Sequence, residues 1–292
     1  MVKWRGREGS RNVEDARGAA AAGLSGLAIL ILRFVFSRWG IGGVVVLVGG
    51  FFALQAVGIN PLALLEGQPA GQYQPTAEDQ EAFEFSSVVL AETEKVWTDI
   101  FAKQGQQYPP PVMKIYTGQT QTACGPGSSA AGPFYCPGDQ KVYLDTSFFN
   151  ELRTRFGAPG DFAAAYVIAH EVGHHIQTIT GVADQVRQAQ ARAGQAEANR
   201  IQVMMELQAD CYAGLWAHRA ERTSGILDEG DIEEGLRAAA AIGDDTLQRN
   251  AGRSVSKESF THGSSEQRQR WFTQGFRTGD VASCDTFSAQ DL

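Results

Sequence analysis

The amino-acid sequence predicts an α+β domain, helices packed on a small mixed sheet, preceded by one transmembrane helix. Three observations lead there. Between Arg38 and Glu66 lies a run of 27 residues without a charge, and about 20 residues rising 1.5 Å each are enough to cross the hydrocarbon core. Beyond it, several long stretches carry apolar residues at helical spacing. Among these stretches sit two short runs, Val112 to Tyr116 and Lys141 to Leu144, bounded by Pro, Gly or Asp as strands are.

Residues 1–38 hold Lys3, Arg5, Arg7, Arg11, Arg17, Arg33 and Arg38 against Glu8, Glu14 and Asp15, so this stretch is +4 in a chain that is −8 overall and the remainder is −12. An acidic body argues against nucleic acid as a partner. The basic residues precede the uncharged run and no Lys or Arg follows it until Lys95. By the positive-inside rule, residues 1–38 read as a basic cytoplasmic segment and 39–58 as a single span at the cell membrane. The large C-terminal part is then expected to be extracytoplasmic, periplasmic or extracellular. A weaker apolar stretch, Gly18 to Leu32, leaves open an interfacial helix or a hairpin that would reverse the topology. Residues 59–77, with Pro61, Gly67, Pro69, Gly71 and Pro75, read as a linker, and 78–292 as the folded domain.

Thr76 is placed to cap a helix in which Phe83, Val89, Val96, Trp97, Ile100 and Phe101 recur. After the two strands, a helix is expected from Thr146 to Phe156, stopped at Gly157. A strongly apolar one follows from Phe162 to Thr180, ending at Gly181. Val182 to Arg200 is polar, an exposed helix or a flap. Ile201 to Arg222 and Asp231 to Arg249 read as further helices. The four cysteines suit an oxidising compartment. Cys124 and Cys136 bracket a Gly/Pro/Ser-rich loop that their pairing would close, which leaves Cys211 and Cys284 to pair, although spacing alone allows three connectivities.

The chemistry is concentrated in His170-Glu171-Val172-Gly173-His174. On a helix, residues four apart share a face, so two imidazoles are presented to one Zn2+ ion per chain, about 2 Å away. Glu171 lies between them as a general base for a metal-bound water. Gly173 costs roughly 1 kcal/mol relative to Ala inside a helix, which points to close packing there. A catalytic zinc needs a third protein ligand. Glu206, in Met205-Glu206-Leu207-Gln208-Ala209-Asp210, is the choice, with Asp210 one turn on to accept a hydrogen bond from a ligand histidine. Asp210, His218 and His262 remain rivals for that third place. His175 is about 100° around the helix from His174 and points elsewhere. His262, in a loop, is a candidate to stabilise the oxyanion formed on a peptide carbonyl.

The chain resembles the bacterial family of neutral zinc metallopeptidases across nearly its whole length. The likeness is carried by Lys3-Trp4-Arg5-Gly6-Arg7, Asn12-Val13-Glu14-Asp15, Thr122-Ala123-Cys124-Gly125, Gly132 to Pro137 and Lys141 to Asp145. It continues in Ala165 to His175, Glu206 to Cys211 and Ser259 to Ser264. The resemblance implies a zincin-like domain with His170 and His174 as ligands, Glu171 as catalyst and Glu206 as third ligand. The Glu-x-x-Ala-Asp and Thr-His segments also look like those of CAAX-processing membrane zinc peptidases. The expectation is a peptidase acting on a peptide or protein substrate, which the strand at Lys141 to Leu144 could bind by strand addition. The alternative is a zinc-stabilised binding or scaffold protein of the cell envelope. A third reading has the Val182 to Arg200 segment lying over the cleft.

Overall fold

A computed structural model of the chain describes residues 1–18, 38, 73–154, 156–157 and 160–292. Met1–Arg17 and Pro75–Leu292 form one compact unit and Gly18–Gln74 another; the elements named below belong to the first. In that unit the chain begins with strand β1 (Val13–Ala16) and continues with helix α1 (Ala77–Lys103). Thr76 and Asp79 cap α1 reciprocally, each satisfying an amide that the first turn leaves without a partner.

β2 (Val112–Tyr116) and β6 (Lys141–Asp145) coincide with the two strands the sequence marks. Between them come the hairpin strands β3 (Gln119–Thr122) and β4 (Gly125–Ser128) and the short β5 (Phe134–Cys136). The main sheet has the order β1-β2-β6-β5. β1, β2 and β6 run parallel, with Val13 opposite Met113 and Val112 opposite Lys141. β5 is antiparallel to β6, with Phe134 opposite Tyr143. β6 is therefore paired on both sides and cannot accept a further strand; the edge beside it belongs to β5.

Helices α2 (Phe148–Thr154), α3 (Asp161–Ile179), α4 (Val182–Gln190), α5 (Gln195–Ser224), α6 (Asp231–Ala241), α7 (Asp244–Asn250) and α8 (Ser265–Thr278) follow. The single helix expected over Asp231 to Arg249 is broken at Gly243, the extended cap of α7. The Val182 to Arg200 segment is α4 plus the first turns of α5. Its Ala183 and Val186 are buried, and Gln190 donates to the Ala198 carbonyl and to Gln202 across the turn. α3 is the central element. Every residue from Phe162 to Gln177 is buried except His174, because the sheet covers one side and α1, α5 and α6 the others. Both cysteine pairs are disulfides: Cys124–Cys136 ties the β3–β4 turn to β5, and Cys211–Cys284 ties α5 to the C-terminal segment.

Two expectations are corrected. Among the described residues no helix is long and apolar enough to cross a membrane. α1 and α5, of 27 and 30 residues, have the length, but charged residues such as Glu92 and Lys95 in α1 and Asp210 and Arg219 in α5 interrupt both. The span assigned to 39–58, and most of the 59–77 linker, lie outside the described residues. The single-pass membrane placement, with the N-terminus cytoplasmic and the catalytic domain extracytoplasmic, is thus not supported. Within the basic N-terminal segment, Met1–Arg17 belong to the folded unit. Val2 and Trp4 are buried, Trp4 packs edge-on against Phe85, and the Lys3 amide donates to the Ile226 carbonyl. Parallel pairing of β1 with a strand about a hundred residues away leaves no local signal in the sequence.

Candidate metal centre

The closeness of α3 and α5 assembles the centre. A Cβ added to Gly173 would lie 3.1 Å from Ala209 Cα and 3.2 Å from its carbonyl oxygen, so glycine is what lets the two helices touch at this level. α3 presents His170, one turn before Gly173, and His174, the next residue, and α5 presents Glu206, one turn before Ala209. His170 Nε2 is 3.2 Å and His174 Nε2 3.4 Å from Glu206 Oε2, and the three donor atoms lie within 4.8 Å of one another. Donors held about 2.0–2.1 Å from a tetrahedral zinc stand about 3.3 Å apart. The residues present thus fit a zinc ion, and two imidazoles with one carboxylate are a donor set it favours.

Each donor is held from behind. His170 Nδ1 lies 2.8 Å from Asp210 Oδ1, leaving Nε2 toward Glu206. His174 Nδ1 lies 2.8 Å from Gln177 Oε1. Glu206 Oε1 accepts from Gln202 Nε2 at 2.9 Å, so Oε2 is the atom turned inward. Asp210 is fully buried and also accepts from Tyr166 Oη at 2.5 Å and from Arg268 Nε and Nη2 at 2.8 and 2.9 Å. Such partners fix ring orientation and tautomer.

The electrostatics follow from burial against pairing. Burial pushes the Asp210 carboxyl up, but Arg268 and His170 outweigh it and bring it to about 2. Burial lowers His170, while Asp210 and Glu206 hold the metal-free imidazole up at about 10. For Glu206 burial is again outweighed, here by His174 and His170, and its pKa falls well below the usual carboxylate range. Glu171 behaves differently. Burial dominates and raises its pKa, with the two histidines and the Tyr135 backbone opposing. A carboxylate poised in this way is suited to taking and returning a proton.

The remaining candidates are not among the three clustered donors. His175 is buried, between Tyr135 Oη at 3.1 Å and the Pro109 carbonyl at 2.7 Å, and joins α3 to β5. His218 is engaged with the Phe276 carbonyl. His262 is half exposed, 3.5 Å from Asp244, on a loop whose three successive amides, from Thr261 to Gly263, donate to Asp244 Oδ2. Gln177, Gln202, Tyr166 and Arg268 escaped the reading of the sequence. The first three sit three or four residues from a ligand on the same helix and were findable by spacing; Arg268 is far from all of them in sequence.

The chain matches the family model described as "Putative neutral zinc metallopeptidase" over residues 2–287. It belongs to that family. The Escherichia coli (strain K12) uncharacterized protein YpfJ is 45% identical over 302 residues, covering 98% of this chain and 99% of that one. The uncharacterized protein Rv2575 of Mycobacterium tuberculosis (strain ATCC 25618 / H37Rv) is 48% identical over 196 residues, covering 63% of this chain and 65% of that one. No solved structure is significantly similar. The family's name implies zinc, in agreement with the donor set.

Proposed function

We propose that the chain is a zinc-dependent endopeptidase, with His170, His174 and Glu206 holding one ion and Glu171 as general base. The observation that carries this is Glu206 Oε2 standing 3.2 and 3.4 Å from the two histidine Nε2 atoms, the spacing of donors on a tetrahedral zinc, with a buried, proton-poised carboxyl beside it. When bound, zinc lowers the pKa of a coordinated water to about 7 and polarises the scissile carbonyl. Glu171 would take a proton from the attacking water and return it to the leaving amine. Three protein donors leave a coordination position free, whereas a structural site is closed by four, which weighs against the scaffold alternative. His174, the one residue of α3 from Phe162 to Gln177 that is not buried, marks the side from which substrate enters.

Substrate pairs along the outer edge of β5. Tyr135 of that strand contacts His175, and its backbone acts on Glu171, so a polypeptide added there lies across the metal. His262 serves as oxyanion donor once its loop meets substrate. Full turnover in a His262→Ala variant that still binds zinc would remove that role. The main test is elemental analysis of the full chain, wild type beside Glu206→Ala, with both assayed on an unfolded protein substrate. One zinc per chain, lost together with cleavage in the variant, is expected. Zinc retained in Glu206→Ala refutes the ligand set, and zinc without cleavage in the wild type refutes the peptidase.

A further inference from the structure

Behind His174 runs a chain of side-chain amides whose direction is imposed by two backbone carbonyls, those of Met205 and Cys284. The Cys284 carbonyl can only accept, and Gln208 Nε2 donates to it at 3.1 Å. That turns Gln208 Oε1 toward Gln177, whose Nε2 donates to it at 3.1 Å and to the Met205 carbonyl at 2.7 Å. Both hydrogens of the Gln177 amide are then used, and Oε1 is what remains to face His174 Nδ1 at 2.8 Å. An acceptor there requires a hydrogen on His174 Nδ1, so that in the neutral imidazole, the form that binds a metal, the lone pair is on Nε2, the atom 3.4 Å from Glu206 Oε2. Reversing either amide would set its oxygen against a backbone carbonyl oxygen, that of Met205 for Gln177 and that of Cys284 for Gln208. Gln177 and Cys284 are fully buried and Gln208 nearly so, which leaves no water to absorb the mismatch.

The far end is itself fastened. Cys284 is bonded to Cys211, which lies on the same helix as Gln208 and one turn on. Two residues beyond, Thr286 Oγ1 donates to the Met204 carbonyl at 2.6 Å. The C-terminal segment is thus clasped to the stretch of α5 that supplies Glu206.

We propose that Gln177 is a positioning residue, oriented by the Met205 carbonyl and by Gln208, that fixes His174 in the tautomer presenting Nε2 to the metal. This rests on His174 being a zinc ligand, as argued above. It gives Gln177 and Gln208 a role in metal affinity although neither touches the ion.

The test is zinc affinity by chelator competition on the full chain, for wild type, Gln177→Met, Gln177→Glu, Gln208→Met and His174→Ala. It is joined by nitrogen-15 histidine spectra of the zinc-loaded protein and thermal unfolding of the metal-free one. Gln177→Met, similar in shape but without an acceptor, is expected to weaken zinc binding about 10- to 100-fold. Gln177→Glu, whose second oxygen can carry a proton toward the Met205 carbonyl, keeps an acceptor toward Nδ1 and loses less. Gln208→Met also loses less, because the Met205 carbonyl still holds the Gln177 nitrogen. The spectrum is expected to show His174 protonated on Nδ1. Wild-type affinity in Gln177→Met, a larger loss in Gln208→Met than in Gln177→Met, or protonation on Nε2 overturns the proposal even where thermal stability falls. Should wild type bind no zinc, or His174→Ala bind it as wild type does, the ligand assignment itself fails; a loss in His174→Ala beside full affinity in Gln177→Met removes only the positioning role.

Discussion

Arg268 and Asp210 make a buried ion pair whose energetics can be taken apart by substitution. The guanidinium spends two of its hydrogen bonds on Asp210 and the others on Tyr166 Oη at 3.1 Å and the Ile242 carbonyl at 3.3 Å. Both side chains are almost wholly out of water, and stranding one member of such a pair costs about 3–5 kcal/mol. The structure makes the two single losses unequal. Arg268→Met leaves Asp210 with His170 and Tyr166 as partners, so the cost belongs near the lower bound, about 3 kcal/mol. Asp210→Ala leaves Arg268 with a hydroxyl and a carbonyl but no carboxylate in contact, and belongs near the upper bound, about 5 kcal/mol. In the double variant neither charge is stranded, and its loss should fall short of the sum by at least about 2 kcal/mol. Urea denaturation followed by circular dichroism, with chelator present so that metal binding does not enter, measures all three. An additive double variant, or Asp210→Ala costing no more than Arg268→Met, would refute the reasoning.

Three further outcomes are expected. Gly173→Ala gains about 1 kcal/mol of helix propensity but loses about 1–3 kcal/mol to overpacking against Ala209, and zinc affinity falls as α5 is pushed away. A stabilised variant with unchanged affinity would show that the helices do not need to touch. Zinc affinity rises with pH through neutrality, because the metal-free protein holds His170 up at about 10 and His174 raised as well. Each proton displaced contributes about tenfold per pH unit, and a flat profile between pH 6 and 8 would contradict this. Trp4→Ala destabilises the fold by about 3 kcal/mol, as loss of a buried aromatic does; a change below about 0.5 kcal/mol, the range of surface substitutions, would place residues 1–17 outside the cooperative unit.

The sequence was most informative where chemistry and local periodicity coincide. His170 and His174 share a face because they are four apart, and Glu206 and Asp210 repeat that spacing on a second apolar helix; the structure brings all four together. Thr76, β2 and the loop-closing Cys124–Cys136 pair each had a local signature, whereas Cys211–Cys284, 73 residues apart, had none and was expected only as the remaining pair. What escaped depends on partners distant in sequence. Val13 to Ala16 becomes a strand only against β2, and Lys141 to Leu144 looked available for substrate because nothing local announces β5, three residues long, on its outer side. Arg268 sits in the polar run Ser265-Glu266-Gln267-Arg268-Gln269-Arg270, where an exposed face is the natural reading. Only the packing of α8 against α5 turns it inward.

The most direct test of the central claim is Glu171→Gln in the full chain, which removes the proton acceptor while leaving the three donors untouched. Zinc content by elemental analysis and hydrolysis of an unfolded protein substrate are measured on the same preparation. The expected result is one zinc per chain with hydrolysis reduced by at least about 100-fold, the scale of general acid–base catalysis. Hydrolysis near the wild-type rate with zinc in place would contradict the assignment of Glu171, and with it the peptidase mechanism built on this centre.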